Sequence, residues 1–324
     1  MSRDVINALT VDVEDWVQSV LDPDLPLTER FHANTLRVLE LFDIYHVRAT
    51  FFVLGLVAEK RPDLVRAIHG AGHEVASHGY GHRLVTRQSP AEFRADVDRS
   101  KKLLEDILGA AVLGYRAPAF SVVSETLWAL DVLVETGYAY DSSIFPVRMR
   151  RYGINATPWH PHRRRTPGGA ELIEVPVASV EALGRRWPIG GGGYLRLLPA
   201  RMVQAGVARL NRRGAPATLY VHPYEFAPRE LTELARDPAL RGRIPWRLRL
   251  HQGLGRSRVA ARLERILRAA TYSTVADMLE REGLTPRVGP IHTAPAAELV
   301  APSRAVANDI PEQVVEEPTP GGVR

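Results

Sequence analysis

Two short segments of this 324-residue chain concentrate side chains that bind metals and move protons. Asp12-Val13-Glu14-Asp15 sets three carboxylates within four positions, and His78-Gly79-Tyr80-Gly81-His82 sets two imidazoles four apart in a run whose glycines permit a tight turn. On a strand, Asp12 and Glu14 point to the same face. Two imidazoles and one carboxylate, with positions left open for water and substrate, form the donor set of a catalytic zinc centre. The chain has no cysteine, so thiolate nucleophiles and cysteine-held zinc are excluded. Either segment alone reads more readily as solvated acids or surface histidines; their joint placement reverses that and favours the metal. His69 and His73 share the four-residue spacing but flank Gly70-Ala71-Gly72 without an acidic cluster, and read as structural. His160 and His162, beside Arg163, Arg164 and Arg165, stay outside the candidate site.

The elements that carry these residues alternate. Val5 to Val13 reads as a first strand ending in the acidic cluster. A helix around Asn34 to Tyr45, a strand Arg48 to Val53, a helix from Pro62 through Ile68 and a strand His73 to Ser77 lead to the histidine loop. Ser89-Pro90-Ala91-Glu92 is a capping box, and Phe93, Val97, Leu104 and Leu108 follow at helical spacing up to Gly109. Strands at Val112 to Tyr115, Tyr138 to Tyr140, Leu172 to Val177 and Thr218 to Val221, with a helix from Ser124 to Thr136, complete a β/α alternation that implies a parallel sheet or barrel. Polar residues cluster where these strands end: Asp12 to Asp15, His78 to His82, Arg116, Asp141 and His222. In a parallel barrel those ends share one rim.

Composition sets the outer bounds. Apolar residues at 45% and charged residues at 24% are those of an ordinary globular chain, and no apolar run reaches the roughly 20 residues of a bilayer span. The start of the chain shows neither a signal peptide nor an anchor, so the expected location is cytoplasmic. The net charge of +5 is modest, but arginine thickens between Arg241 and Arg268. That run raises nucleic-acid or polyanion binding as a rival; it lacks a recognised binding motif, and the expectation is no nucleic-acid partner. Gly190-Gly191-Gly192-Gly193 lacks the ending of a phosphate loop and reads as a flexible loop on the substrate side.

Five ordered segments between residues 5 and 226 resemble the polysaccharide deacetylases, carbohydrate esterase family 4 of the NodB type. They are Leu9-Thr10-Val11-Asp12-Val13-Glu14-Asp15, Ala49-Thr50-Phe51-Phe52-Val53, Ser77-His78-Gly79-Tyr80-Gly81-His82, Gly114-Tyr115-Arg116-Ala117-Pro118 and Leu219-Tyr220-Val221-His222. Asp12 to Asp15, Tyr140-Asp141-Ser142-Ser143 and His222-Pro223-Tyr224-Glu225-Phe226 are similar to the branch encoded beside bacterial exopolysaccharide export clusters. The resemblance implies a distorted (β/α) barrel and metal-dependent removal of acetyl groups from an N-acetylated polysaccharide or oligosaccharide. On the matching positions, Asp12 is the base and Arg116 its partner. His222 is the general acid, Asp141 the carboxylate that orients it, and the backbone N–H of Ala119 the oxyanion donor. His78 and His82 match the histidine ligands of a divalent metal, zinc by preference. The third ligand stays open between Glu14, favoured by strand geometry, and Asp15, because the family's adjacent aspartates are replaced here by Asp-Val-Glu-Asp.

Residues 1–228 are expected to form the barrel, 229–285 an arginine-rich helical extension packed on it, and 286–324 a disordered Pro/Ala-rich tail. Peripheral association with an exopolysaccharide synthesis complex is a further expectation. A nearer rival is a metal-dependent amidohydrolase of small nitrogenous molecules on the same barrel.

Overall fold

Asn7–Val13 forms β1, and all seven residues are buried, as in a strand covered on both faces. The computed structural model describes residues 5–149, 152–154 and 157–285; the expected tail lies outside them. The strands that follow are β2 (Thr50–Val53), β3 (Glu74–Ser77), β4 (Gly114–Tyr115), β5 (Tyr140–Asp141), β6 (His162–Arg165), β7 (Glu171–Glu174), β8 (Ser179–Ala182), β9 (Arg185–Pro188), β10 (Thr218–Val221) and β11 (Tyr272–Ser273). Nine of them make one curled sheet in the order β10-β1-β2-β3-β4-β5-β7-β6, with β11 added beside the start of β1. All its pairings are parallel except β6 with β7. The alternation thus yields the expected α/β barrel architecture in an open, half-closed form, with no pairing between β10 and β6 among the described residues.

The helices are α1 (Arg30–Ile44), α2 (Gly55–Lys60), α3 (Pro62–Gly70), α4 (Pro90–Leu108), α5 (Ala129–Glu135), α6 (Gly193–Leu197), α7 (Ala200–Asn211), α8 (Glu230–Leu234), α9 (Trp246–Gly253), α10 (Val259–Leu267) and α11 (Val275–Arg281). Their apolar faces cover the outside of the sheet: Val38 and Phe42 of α1, Leu64 and Ile68 of α3, and Phe93, Val97 and Leu104 of α4 join Leu9, Val11 and Phe51 in one core. The capping box of α4 forms as its spacing predicts, and Gly109 ends the helix in the left-handed conformation, φ 63°. The single helix expected over 124–136 is instead a short 3-10 turn, Ser124–Thr126, followed by α5.

Two expectations change. The extension after residue 228 does more than pack on a finished barrel, because β11 pairs with β1 and Val275, Met278 and Leu279 of α11 close the inner cluster around Ala8, Phe52 and Ala76. The glycine run is not a flexible loop. Tyr220 N donates to Gly190 O at 2.6 Å, Gly192 N donates to Tyr220 O at 3.2 Å, and a side chain on Gly191 would run into the Tyr220 backbone. These glycines let a second main chain lie directly against β10.

Candidate active site

Pleat geometry builds the site from β1. With a period of two, Thr10 and Asp12 share a face, and Arg116 just beyond β4 reaches both: Nη1 donates to Thr10 Oγ1 at 2.8 Å and to Asp12 Oδ1 at 2.6 Å. Arg116 is wholly buried. Its remaining donors go to Ser142, Nε to the backbone oxygen at 3.3 Å and Nη2 to Oγ at 2.9 Å, and its guanidinium lies 4.1 Å above the Phe52 ring. A buried arginine costs little only when its donors are filled in this way.

Glu14, one step past the strand, meets the histidine loop. Its Oε2 lies 2.8 Å from His82 Nε2 and 3.5 Å from His78 Nε2. His82 adopts φ 57° and Gly79 φ 77°, the left-handed turns that bring both rings to one point. His78 Nδ1 pairs with the backbone oxygen of Arg116 at 2.8 Å, an acceptor only, so this nitrogen donates and Nε2 is the ring atom turned toward Glu14. Burial alone would raise the Glu14 carboxyl; the charge of His82 and hydrogen bonds from both histidines outweigh it and hold the group well below the usual carboxylate range. One oxygen and two nitrogens within 4.8 Å of one another form a donor set that fits a divalent cation of zinc type.

Asp15 takes no part in that set. Its Oδ1 accepts from the backbone N–H groups of Val17 and Gln18 at 2.9 and 3.3 Å, and its Oδ2 from the backbone N–H and hydroxyl of Thr28 at 3.2 and 2.5 Å. The alternation that points Glu14 inward sends Asp15 away, to tie down the chain after β1.

His222, at the end of β10, completes the rim. Its Nε2 lies 3.6 Å from Glu14 Oε1 and 3.9 Å from Asp12 Oδ2, and its ring stacks on Tyr224 with centroids 4.8 Å apart. The carboxylate expected behind it, Asp141, is elsewhere. Asp141 accepts from Ser143 Oγ, which itself accepts the backbone N–H of Ala117 at 2.7 Å, and Asp141 stands opposite Glu174 in the β5–β7 register. Burial pushes both carboxyls up, and a proton shared between them accounts for their otherwise unpartnered facing oxygens. Asp141 therefore braces the strand end that carries Arg116.

Glu225 fills the place behind His222. Its Oε2 accepts the His222 backbone N–H at 3.0 Å and lies 3.3 Å from Nδ1, while Oε1 forms an ion pair with Arg196 Nε at 3.1 Å. Burial opposes charge on the ring, but the hydrogen bond and charge of Glu225, with Glu14 and Asp12 beyond, lift the imidazole to about 9. Arg196 is buried and comes from α6, immediately after the glycine run. Sequence reasoning passed over both residues. The signal for Glu225 is the three-residue spacing from His222 across Pro223, a capping pattern that returns the side chain to the residue it follows. Ala119, exposed at φ 50°, sits on the same rim segment as Arg116.

A family profile described as polysaccharide deacetylase matches residues 8–140, and one described as a domain of unknown function, DUF3473, matches residues 142–280. A peptidoglycan deacetylase of Helicobacter pylori is 30% identical over 44% of this chain and 51% of its own length. A chitooligosaccharide deacetylase of a Bradyrhizobium strain is 29% identical over 44% of this chain and 58% of its own. The chain spans about half the length of these curated relatives. Among solved structures, one from Mycobacterium smegmatis assigned to the polysaccharide deacetylases superposes with a TM-score of 0.57 at 22% identity, covering 92% of this chain and 96% of that one. The Puue allantoinase superposes at 0.55 with 16% identity, covering 86% and 89%. These two likenesses concern the fold. Residues 8–140 thus match a polysaccharide deacetylase domain, and residues 142–280 match the domain of unknown function that follows it.

Proposed function

We propose that this chain hydrolyses the N-acetyl group of an N-acetylglucosamine-containing polysaccharide, releasing acetate and leaving a free amine. The observation that carries this reading is that His222 Nε2 lies within 4 Å of both Asp12 Oδ2 and Glu14 Oε1, beside the Glu14, His78 and His82 donors. Glu14, His78 and His82 would hold a divalent cation, zinc by donor chemistry; such an ion, when bound, acts as a Lewis acid toward an amide oxygen and makes water a better nucleophile. Asp12 Oδ2, left free of Arg116, takes the proton of the attacking water while Arg116 fixes Oδ1. His222 Nε2 then donates a proton to the leaving nitrogen as the C–N bond breaks. Glu225 holds Nδ1, so the ring presents Nε2 to the site. The backbone N–H of Ala119 is the proposed donor to the developing oxyanion.

An exopolysaccharide as the natural polymer and the cytoplasm as the place of action extend the same proposal. The reading is tested by acetate release from N-acetylglucosamine oligomers, using stripped protein with zinc restored, beside Asp12→Asn and His222→Ala. Zinc-dependent release lost in both variants is the expected result. Stoichiometric zinc binding, lost in His78→Ala, with turnover of small free amides and none of acetylated sugars, would overturn it in favour of a small-molecule amidohydrolase.

A further inference from the structure

Helix α9 is attached to the protein in an unusual way. None of its residues is buried, and its C-terminal carbonyls are held by two buried arginines: Arg196 Nη1 donates to the carbonyls of His251 and Gln252 at 3.1 and 2.7 Å, and Arg256 Nε to that of Gln252 at 2.8 Å. Leu248 leans on the small core around Trp16 and Leu231. The outward face carries Trp246, 63% exposed, Leu250, 63% exposed, and Leu254, 56% exposed, at successive four-residue steps. Leu197, 51% exposed, follows Arg196 and so lies beside the Leu254 end of this stripe. Large side chains this exposed in one row mark an interaction surface.

The charge around the row selects the partner. From Pro238 to Leu263 the sequence holds seven arginines and no acidic residue. Arg243, Arg247 and Arg249 are exposed, and none is paired with a carboxylate among the described residues. Arg247 lies 5.5 Å from the Trp246 ring centroid, so cation and indole are presented together. A second copy meeting this patch about a two-fold axis would bring the two arginine runs together. A nucleic acid would meet the arginines yet leave Leu250 and Leu254 without an apolar medium. An anionic bilayer surface satisfies both halves: phosphate headgroups take the guanidinium groups, and the acyl boundary takes the tryptophan and leucines.

We propose that the outward face of α9, with Leu197, docks this protein onto an anionic lipid surface. Arg196 links that face to Glu225, which places the candidate site close to the docked edge.

The test is co-sedimentation of the full chain with vesicles of phosphatidylglycerol mixed equally with phosphatidylcholine, against phosphatidylcholine alone. The expected result is binding to the anionic vesicles only, weakened by added salt. Substituting Arg243, Arg247 and Arg249 together by Gln should weaken it about a hundredfold, at about fivefold per arginine. Trp246→Ser with Leu250→Ser should weaken it about tenfold. Circular dichroism and thermal melting should be unchanged in both variants, because these side chains are exposed. Absence of binding, or binding that both variants retain, overturns the proposal. A concentration-dependent dimer abolished by the Trp246 and Leu250 substitutions overturns it in favour of self-association. Duplex DNA binding that falls only with the arginine set, with no vesicle binding, overturns it in favour of nucleic acid.

Discussion

Glu225 grips His222 twice, through the backbone N–H at 3.0 Å and through ring Nδ1 at 3.3 Å. Loss of that carboxylate frees the ring to rotate and removes the partner of its charged form. Glu225→Gln should lower kcat about a hundredfold with little change in KM, as for groups that orient a general acid. Asp141→Asn should leave kcat within a few-fold of the parent per folded molecule. Steady-state kinetics of the two variants side by side separates these roles.

The two carboxylates after β1 should part company on metal titration. Glu14→Ala, like His82→Ala, should abolish stoichiometric zinc binding. Asp15→Ala should keep one zinc per chain and instead lose about 1–2 kcal/mol of stability, the usual cost of a lost cap. Elemental analysis after dialysis, with denaturant unfolding, gives both readings, and zinc loss in Asp15→Ala would contradict the assignment.

Arg116 is the structural pivot of the rim as well as the partner of Asp12. Arg116→Met would leave the Asp12 carboxylate buried without its cation, at a cost of about 3–5 kcal/mol. The double variant Arg116→Met with Asp12→Leu should recover much of that loss while remaining inactive. Equilibrium unfolding of the single and double variants tests the coupling.

His73 supplies a pH dependence away from the rim. Its Nδ1 accepts the backbone N–H of Ala49 at 3.1 Å beneath Phe51, and burial, helped by the charge of Arg48, lowers its imidazole to about 4. The unfolded chain, near the ordinary 6.5, binds this proton first on acidification, so the contribution of His73 is present above about 6.5 and is lost as pH falls toward 4. The stability advantage of the parent over His73→Leu should therefore shrink across that window. A gap that stays constant from pH 7 to about 4 would refute it.

Much of the site was readable because its spacing obeys strand and turn geometry. Asp12 and Glu14 follow the two-residue pleat, His78 and His82 flank glycines, and the capping box at Ser89 states where α4 begins. The choice between Glu14 and Asp15 needed only the same pleat carried past Val13. What could not be read depends on contacts made far along the chain. Arg196 reaches Glu225 only because the glycine run beside β10 carries α6 inward, and a glycine run in a sequence looks the same whether it is loose or pressed against another backbone. Asp141 was misplaced because a strand-end carboxylate gives no sign of Glu174 lying opposite it across the sheet.

β1 takes its neighbours from both matched regions: β2 from the first, β10 and β11 from the second. The seam between residues 140 and 142 is thus a border between two sequence profiles and not a border in the sheet. A fragment ending there would retain the base and the donors for a cation but lose the acid, and would expose one whole edge of β1.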